Sequence, residues 1–160
     1  MEDPRETFTR AVRESGRSMF RAARSILDCD ADAEDAVGEA VLRAWQSYGT
    51  LRKTDAARAW LVKIAVNCAY DQRRRSAKIT YLDDLEPVAG AAEDPEPSDL
   101  WDAVLRLPED HRVVVTLFYY EDMTVEQIAQ TLDVAQGTVK SRLSRARKNL
   151  KELLREEGPL

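Results

Sequence analysis

The chain has 160 residues, 29 acidic and 24 basic, with a formal net charge of −5. That length suits one medium domain or two small ones, either able to fold without covalent staples. Two cysteines far apart, Cys29 and Cys68, with one histidine, His111, exclude both a disulfide framework and a four-ligand zinc site. The N-terminus MEDPRETFTR is charged where a signal peptide needs an apolar core, and no run approaches the roughly 20 apolar residues of a membrane span. A soluble cytoplasmic protein with reduced thiols and no cofactor is expected.

The first helix is expected from about Thr7 to Leu27, with Phe8, Val12, Met19, Ala23 and Ile26 facing inward. A second is expected from about Asp32 to Tyr48, its opening acids Asp32, Glu34 and Asp35 complementing the helix N-terminus. The stretch GTLRKTDAA interrupts the pattern. A third helix, about Ala56 to Arg74, carries Trp60, Leu61, Ile64, Ala65, Cys68 and Ala69 at spacings of three and four, one apolar face.

Charge then changes abruptly. Residues 1–78 hold 15 basic and 12 acidic residues, residues 79–99 hold none and 7, and residues 100–160 hold 9 and 10. The middle segment also contains Pro87, Pro95 and Pro97 and lacks helical periodicity, which is linker composition. The expected architecture is all-α: two small helical domains, residues 1–78 and 100–160, joined by an acidic flexible linker, residues 79–99.

In the back module RVVVTLFYY, Arg112 to Tyr120, is the one β-like run. It follows LPEDH, where Pro108 and two acids suit the first turn of a helix, so a buried helix is expected there, with His111 near its start. Thr124 and Gln127, three apart, form a capping box for a short helix VEQIAQTL. Leu132, Asp133 and Val134 make a turn, and a longer helix starts near Gln136. Along that helix Val139, Leu143, Ala146, Leu150 and Leu153 share one stripe at about 100° per residue, and Lys140, Ser141, Ser144, Arg145 and Lys148 lie opposite.

This is the layout of a helix-turn-helix. From Gly137 to Lys151 there are six basic residues and no acid. Basic residues set among short hydroxyls suit close entry into a major groove, with one or two long side chains on base edges and the rest on phosphates. Lys140 and Arg145 have the reach for guanine edges.

With these motifs in hand, both modules resemble the sigma-70 family of bacterial RNA polymerase sigma factors, in its short extracytoplasmic-function group. DADAEDAVGEAVLRAW is similar to the region 2 helix that docks on the polymerase clamp. RAWLVKIAVNCAYDQRRR is similar to the helix that handles the promoter −10 element. LPEDHRVVVTLFYYEDMTVEQIAQTLDVAQGTVKSRLSRARKNL looks like region 4, a helix-turn-helix that reads the −35 element. Three motifs in order cover nearly the whole chain.

The resemblance implies specific roles. Asp32, Asp35, Glu39 and Leu42 dock on the clamp of the large subunit. Trp60, Lys63 and Asn67 handle the −10 strand, with SYGTLRKTDAA closing over a flipped base, and Arg73, Arg74 and Arg75 hold phosphates. Trp45 and Tyr70 are read as core aromatics. Thr138, Lys140, Ser141, Ser144, Arg145 and Lys148 meet the −35 element. No residue is catalytic and no metal is expected. Partners implied are core RNA polymerase, through its clamp and flap region, promoter DNA, and an anti-sigma factor. Direct membrane insertion is not implied.

No nucleotide-binding motif is present, so strand opening must be driven by binding. Capturing an unstacked base is worth roughly 1 to 3 kcal/mol, comparable with the few kcal/mol of extruding it.

Three positions depart from the family pattern. Asp133 and Ala135 stand where glycine and serine are common, and Gly38 stands where glutamine is usual. The linker has two readings: a tether suited to the promoter spacing, or a nucleic-acid mimic in which Asp83, Asp84 and Glu86 occupy a basic polymerase channel. The short N-terminus and the end at Leu160 are expected to leave no room for a sensory domain. Two other functions fit parts of the sequence: a stand-alone helix-turn-helix regulator, and an interaction protein that sequesters polymerase.

Overall fold

The computed structural model describes residues 3–48, 56–79 and 99–157. It divides into two compact units, and the described residues form helices with no strand. The acidic segment 80–98, with Asp83, Asp84 and Glu86, and residues 49–55 of the SYGTLRKTDAA loop lie outside the described residues.

The first unit is a three-helix bundle of α1 (Pro4–Arg24), α2 (Asp30–Ser47) and α3 (Ala57–Ile79). Helix α1 starts three residues before the expected Thr7. Asp3 accepts a hydrogen bond from the Arg5 amide, and Pro4 occupies the first turn, where its missing N–H costs nothing. Asp-Pro was a legible start signal. The helix also ends early, at Arg24, because Arg24 itself staples the turn: Nη1 donates to the Leu27 carbonyl at 2.7 Å and Nε to Asp30 at 2.9 Å.

Small side chains set the packing. Helix α2 buries Ala33, Ala36, Ala40 and Ala44, a stripe three or four residues apart that lets backbones approach closely. Against it lie Met19, Ala22 and Ala23 of α1 and Leu61, Val62, Ala65, Val66, Cys68 and Ala69 of α3, all buried. Phe8 closes one end, its ring 5.0 Å from Trp45 and 5.2 Å from Tyr48. Trp45, expected in the core, keeps 44% of its surface exposed because it packs on Phe8 from outside. Helix α3 runs five residues past the expected Arg74.

The second unit contains α4 (Asp99–Leu105), α5 (Glu109–Val115), a π-helical turn (Thr116–Tyr120), α6 (Val125–Leu132) and α7 (Gln136–Glu157). The β-branched run Val113–Thr116 is helical and buried, as tertiary context overrides a modest strand preference. The π turn was not expected. There the Glu121 amide reaches back to the Thr116 carbonyl at 3.2 Å, while the Thr116 hydroxyl donates to the Arg112 carbonyl at 2.8 Å, the side-chain competition that bends helices.

Candidate nucleic-acid interface

The helix-turn-helix is built as its residues dictate. The Thr124 hydroxyl accepts from the Gln127 amide at 3.1 Å, and the Gln127 side chain accepts from the Thr124 amide at 2.9 Å. Two of the orphan donors at the start of α6 are thereby satisfied. Helix α6 ends at Asp133, which is left-handed (φ 57°, ψ 50°), and Ile128 and Ala129 are buried. Ala135 precedes α7, and its carbonyl accepts from Thr138 and Val139 at 3.0 and 3.2 Å.

Val139, Leu143 and Ala146 of α7 are buried, and Leu150 and Leu153 are half-buried. Opposite them Lys140, Ser141, Ser144, Arg145 and Lys148 are all exposed, with Thr138 half-buried at the N-terminal end. Among the described residues none of the side chains of Lys140, Ser141, Ser144, Arg145 or Lys148 holds an internal hydrogen bond or ion pair. About two and a half turns of helix therefore present unengaged donors on one face.

Arg147 differs from these neighbours. Its Nε donates to the Tyr119 hydroxyl at 2.5 Å, and its guanidinium lies 5.8 and 5.6 Å from the Phe118 and Tyr119 ring centres. The π turn carries those rings, so it fastens α7 at that point. Two residues further along α7, Asn149 meets His111 Nδ1 at 3.2 Å, which gives the histidine a helix-joining role in addition to its place near the start of α5.

In the first unit α3 brings Trp60, Lys63, Asn67 and Arg74 within an arc of about 60°. Lys63, Asn67 and Arg74 are exposed and Trp60 is half-buried; Tyr70, on the same stripe, is half-buried too. The three arginines expected to act alike do not share one environment. Arg73 is half-buried and donates to the Ile26 carbonyl, capping the α1 turn. Arg74 pairs with Asp71. Arg75 crosses to α2, where its Nη2 donates to Glu39 at 2.9 Å.

Helix α2 places Asp35 and Leu42 outward, Leu42 being 67% exposed. Asp32 is half-buried at the helix start, its carbonyl accepting from Gln72 at 3.0 Å. Glu39 is half-buried and holds Arg43 at 2.5 Å as well as Arg75. Arg43 also donates to Asp71 at 3.0 Å. That bond holds the Asp71 carboxyl below its ordinary range and raises the Arg43 guanidinium. Beneath this network burial pushes the Cys68 thiol up to about 11. Sequence periodicity had no signal for a network joining positions 28 and 36 residues apart.

Two helical units, one a capped helix-turn-helix with a free basic face and the other a bundle with an amide-and-cation stripe, define a two-module DNA-binding protein. Comparison with known proteins gives the family. Residues 11–79 match the Sigma-70 region 2 family and residues 98–150 match Sigma-70, region 4. The ECF RNA polymerase sigma factor SigM of Mycobacterium tuberculosis is 35% identical over 153 residues, 94% of this chain and 78% of the relative. SigL of the same organism is 36% identical over 150 residues, 88% of this chain and 84% of the relative. Among solved structures, the sigma factor RpoE in complex with the anti-sigma factor NepR from Bartonella quintana superposes with a TM-score of 0.74 at 28% identity, covering 92% of this chain and 96% of that one.

The chain belongs to the sigma-70 family of RNA polymerase sigma factors, in the extracytoplasmic-function group, and its function is that of a sigma factor in transcription initiation.

Proposed function

We propose that this factor divides its work by module. Residues 1–78 dock on the clamp of core RNA polymerase through Asp32, Asp35, Glu39 and Leu42 of α2 and handle the −10 element through α3. Residues 100–160 meet the flap region and read the −35 element through α7, and residues 79–99 tether the two. Lys140 and Arg145 reach base edges; Thr138, Ser141, Ser144 and Lys148 contact phosphates and fix the helix in the groove. On α3, Asn67 offers a donor and an acceptor to a base edge, Lys63 lies one turn before it, and Trp60 supplies a stacking surface at the upstream end.

The observation that carries this reading is the undivided basic face of α7, unengaged inside the protein and backed by a buried stripe. Phosphodiester chemistry belongs to the core enzyme, and the factor itself is not an enzyme. It works in the cytoplasm, consistent with the lack of any described helix long and apolar enough to cross a membrane. An anti-sigma factor that covers one or both modules is its expected regulator; the RpoE of the solved structure is in complex with the anti-sigma factor NepR.

Substituting Lys140 and Arg145 by alanine tests the division. Promoter-specific transcription should fall at least tenfold, because each good base contact is worth about 1 to 3 kcal/mol, while affinity for core polymerase stays unchanged. A pair of substitutions that leaves transcription intact refutes the assignment of α7. A stand-alone regulator would instead bind a specific duplex tightly without polymerase, and a sequestering protein would hold polymerase without conferring any start site.

A further inference from the structure

Arg74 and Arg75, in the last two turns of α3, carry counter-charges within the bundle. Arg74 pairs with Asp71 on its own helix, Arg75 with Glu39 of α2 at 2.9 Å, and Arg43 bridges both carboxylates at 2.5 and 3.0 Å. Two carboxylates thus face three guanidiniums. The five groups carry a net charge of about +1 where the arginines alone would carry +3, and each cation neutralised on the protein is one fewer available to displace counterions from DNA. Glu39 is also one of the α2 residues assigned to polymerase docking.

We propose that Glu39 and Asp71 form an internal counter-charge that weakens the contact of Arg74 and Arg75 with DNA, and that engagement of α2 by a cationic surface of the polymerase releases Arg75 by drawing Glu39 away. This rests on the assignment of α2 to polymerase and α3 to the −10 element. The two carboxylates are partly exposed, Glu39 keeping 28% and Asp71 35% of its side-chain surface, and their partners Arg74, Arg75 and Arg43 keep 70%, 58% and 42%. Pairs of this kind contribute little individually, so a cation from the polymerase can take Glu39 without unfolding the bundle. Arg75 then loses its partner and gains a phosphate. Docking comes first and DNA second, by simple exchange of ion pairs.

The test uses the full-length free protein and a non-specific single-stranded oligonucleotide, with binding followed by fluorescence anisotropy from about 0.05 to 0.2 M salt, the range over which phosphate contacts weaken most visibly. Asp71→Asn and Glu39→Gln each remove one carboxylate from the network; Glu34→Gln removes one from an exposed position of α2 outside it. The network variants should bind about two- to fivefold more tightly than Glu34→Gln, the factor released by loss of one exposed ion pair, with a steeper salt dependence. Circular dichroism establishes that each variant is helical.

Network variants that gain no more than Glu34→Gln, or that show no binding at all, overturn the proposal. A holoenzyme carrying Arg74→Ala with Arg75→Ala separates it from the reading beneath. If that holoenzyme opens promoters with unchanged salt dependence, the arginines do not meet DNA and the counter-charge fails, while the assignment of Lys63 and Asn67 to the −10 element stands. If opening weakens while the carboxylate variants gain nothing, the counter-charge alone is refuted.

Discussion

Arg43 and Asp71 meet at 3.0 Å from positions 28 residues apart, one on α2 and one on α3, and so tie the helix assigned to polymerase to the helix assigned to DNA. The bond favours the ionised carboxylate, which lowers the Asp71 pKa from its ordinary 3.8. A carboxyl with a lower pKa in the folded state stabilises the fold fully above its unfolded value and loses that contribution as pH falls through the folded value. The stability difference between the native protein and Asp71→Asn should therefore be constant near neutrality and shrink below about pH 4. Urea denaturation across pH 2.5 to 7 checks this, and a difference that grows on acidification would contradict it.

Burial raises the Cys68 thiol from 9.0 to about 11. The neutral thiol is the form the fold favours, so its contribution is complete below pH 9 and disappears as pH rises through 9 to 11. With the thiolate scarce and the sulfur buried, iodoacetamide at pH 8 should label Cys29, which is only half-buried, well before Cys68. Equal labelling of the two in the folded protein would show that α3 opens.

Asp133 adopts a left-handed backbone at φ 57°, a conformation that costs a side-chain-bearing residue roughly 1 kcal/mol or more. Asp133→Gly should stabilise the second unit by up to about 1 kcal/mol. Thr124→Ala, by removing half of the capping box, should cost about 1 kcal/mol. Thermal unfolding of residues 100–160 within the whole chain reads both changes, which should have opposite signs.

Gly38 lies within α2 on an exposed face, and a Cβ added there meets nothing within 4 Å. Gly38→Ala should stabilise the first unit by about 1 kcal/mol through helix propensity alone. Destabilisation would reveal a backbone requirement at that position.

The features of the fold legible in sequence were those set by local period and capping. The stripe Val139, Leu143, Ala146 and the reciprocal bonds of Thr124 and Gln127 follow from residues three or four apart, and they appear as expected. The start of α1 was missed although Asp3 and Pro4 signal it. What had no local signature depends on partners distant in sequence. Arg73 was grouped with Arg74 and Arg75 as a phosphate contact, yet its guanidinium caps a turn 47 residues away. The π turn at Thr116–Tyr120 and its hold on Arg147 depend on an α5–α7 contact that no window of sequence contains. The exposed basic face of α7 was legible because a solvent-facing surface needs no tertiary partner, whereas the ion pairs of α2 and α3 exist only once the bundle has formed.

Run-off transcription with purified core polymerase on a library of promoter fragments tests the central claim most directly. Addition of the protein should produce discrete starts, with unpaired bases at the −10 element of the selected fragments and a shared −35 sequence upstream. A protein that fails to join the polymerase, or joins it and leaves start sites random, would contradict the account.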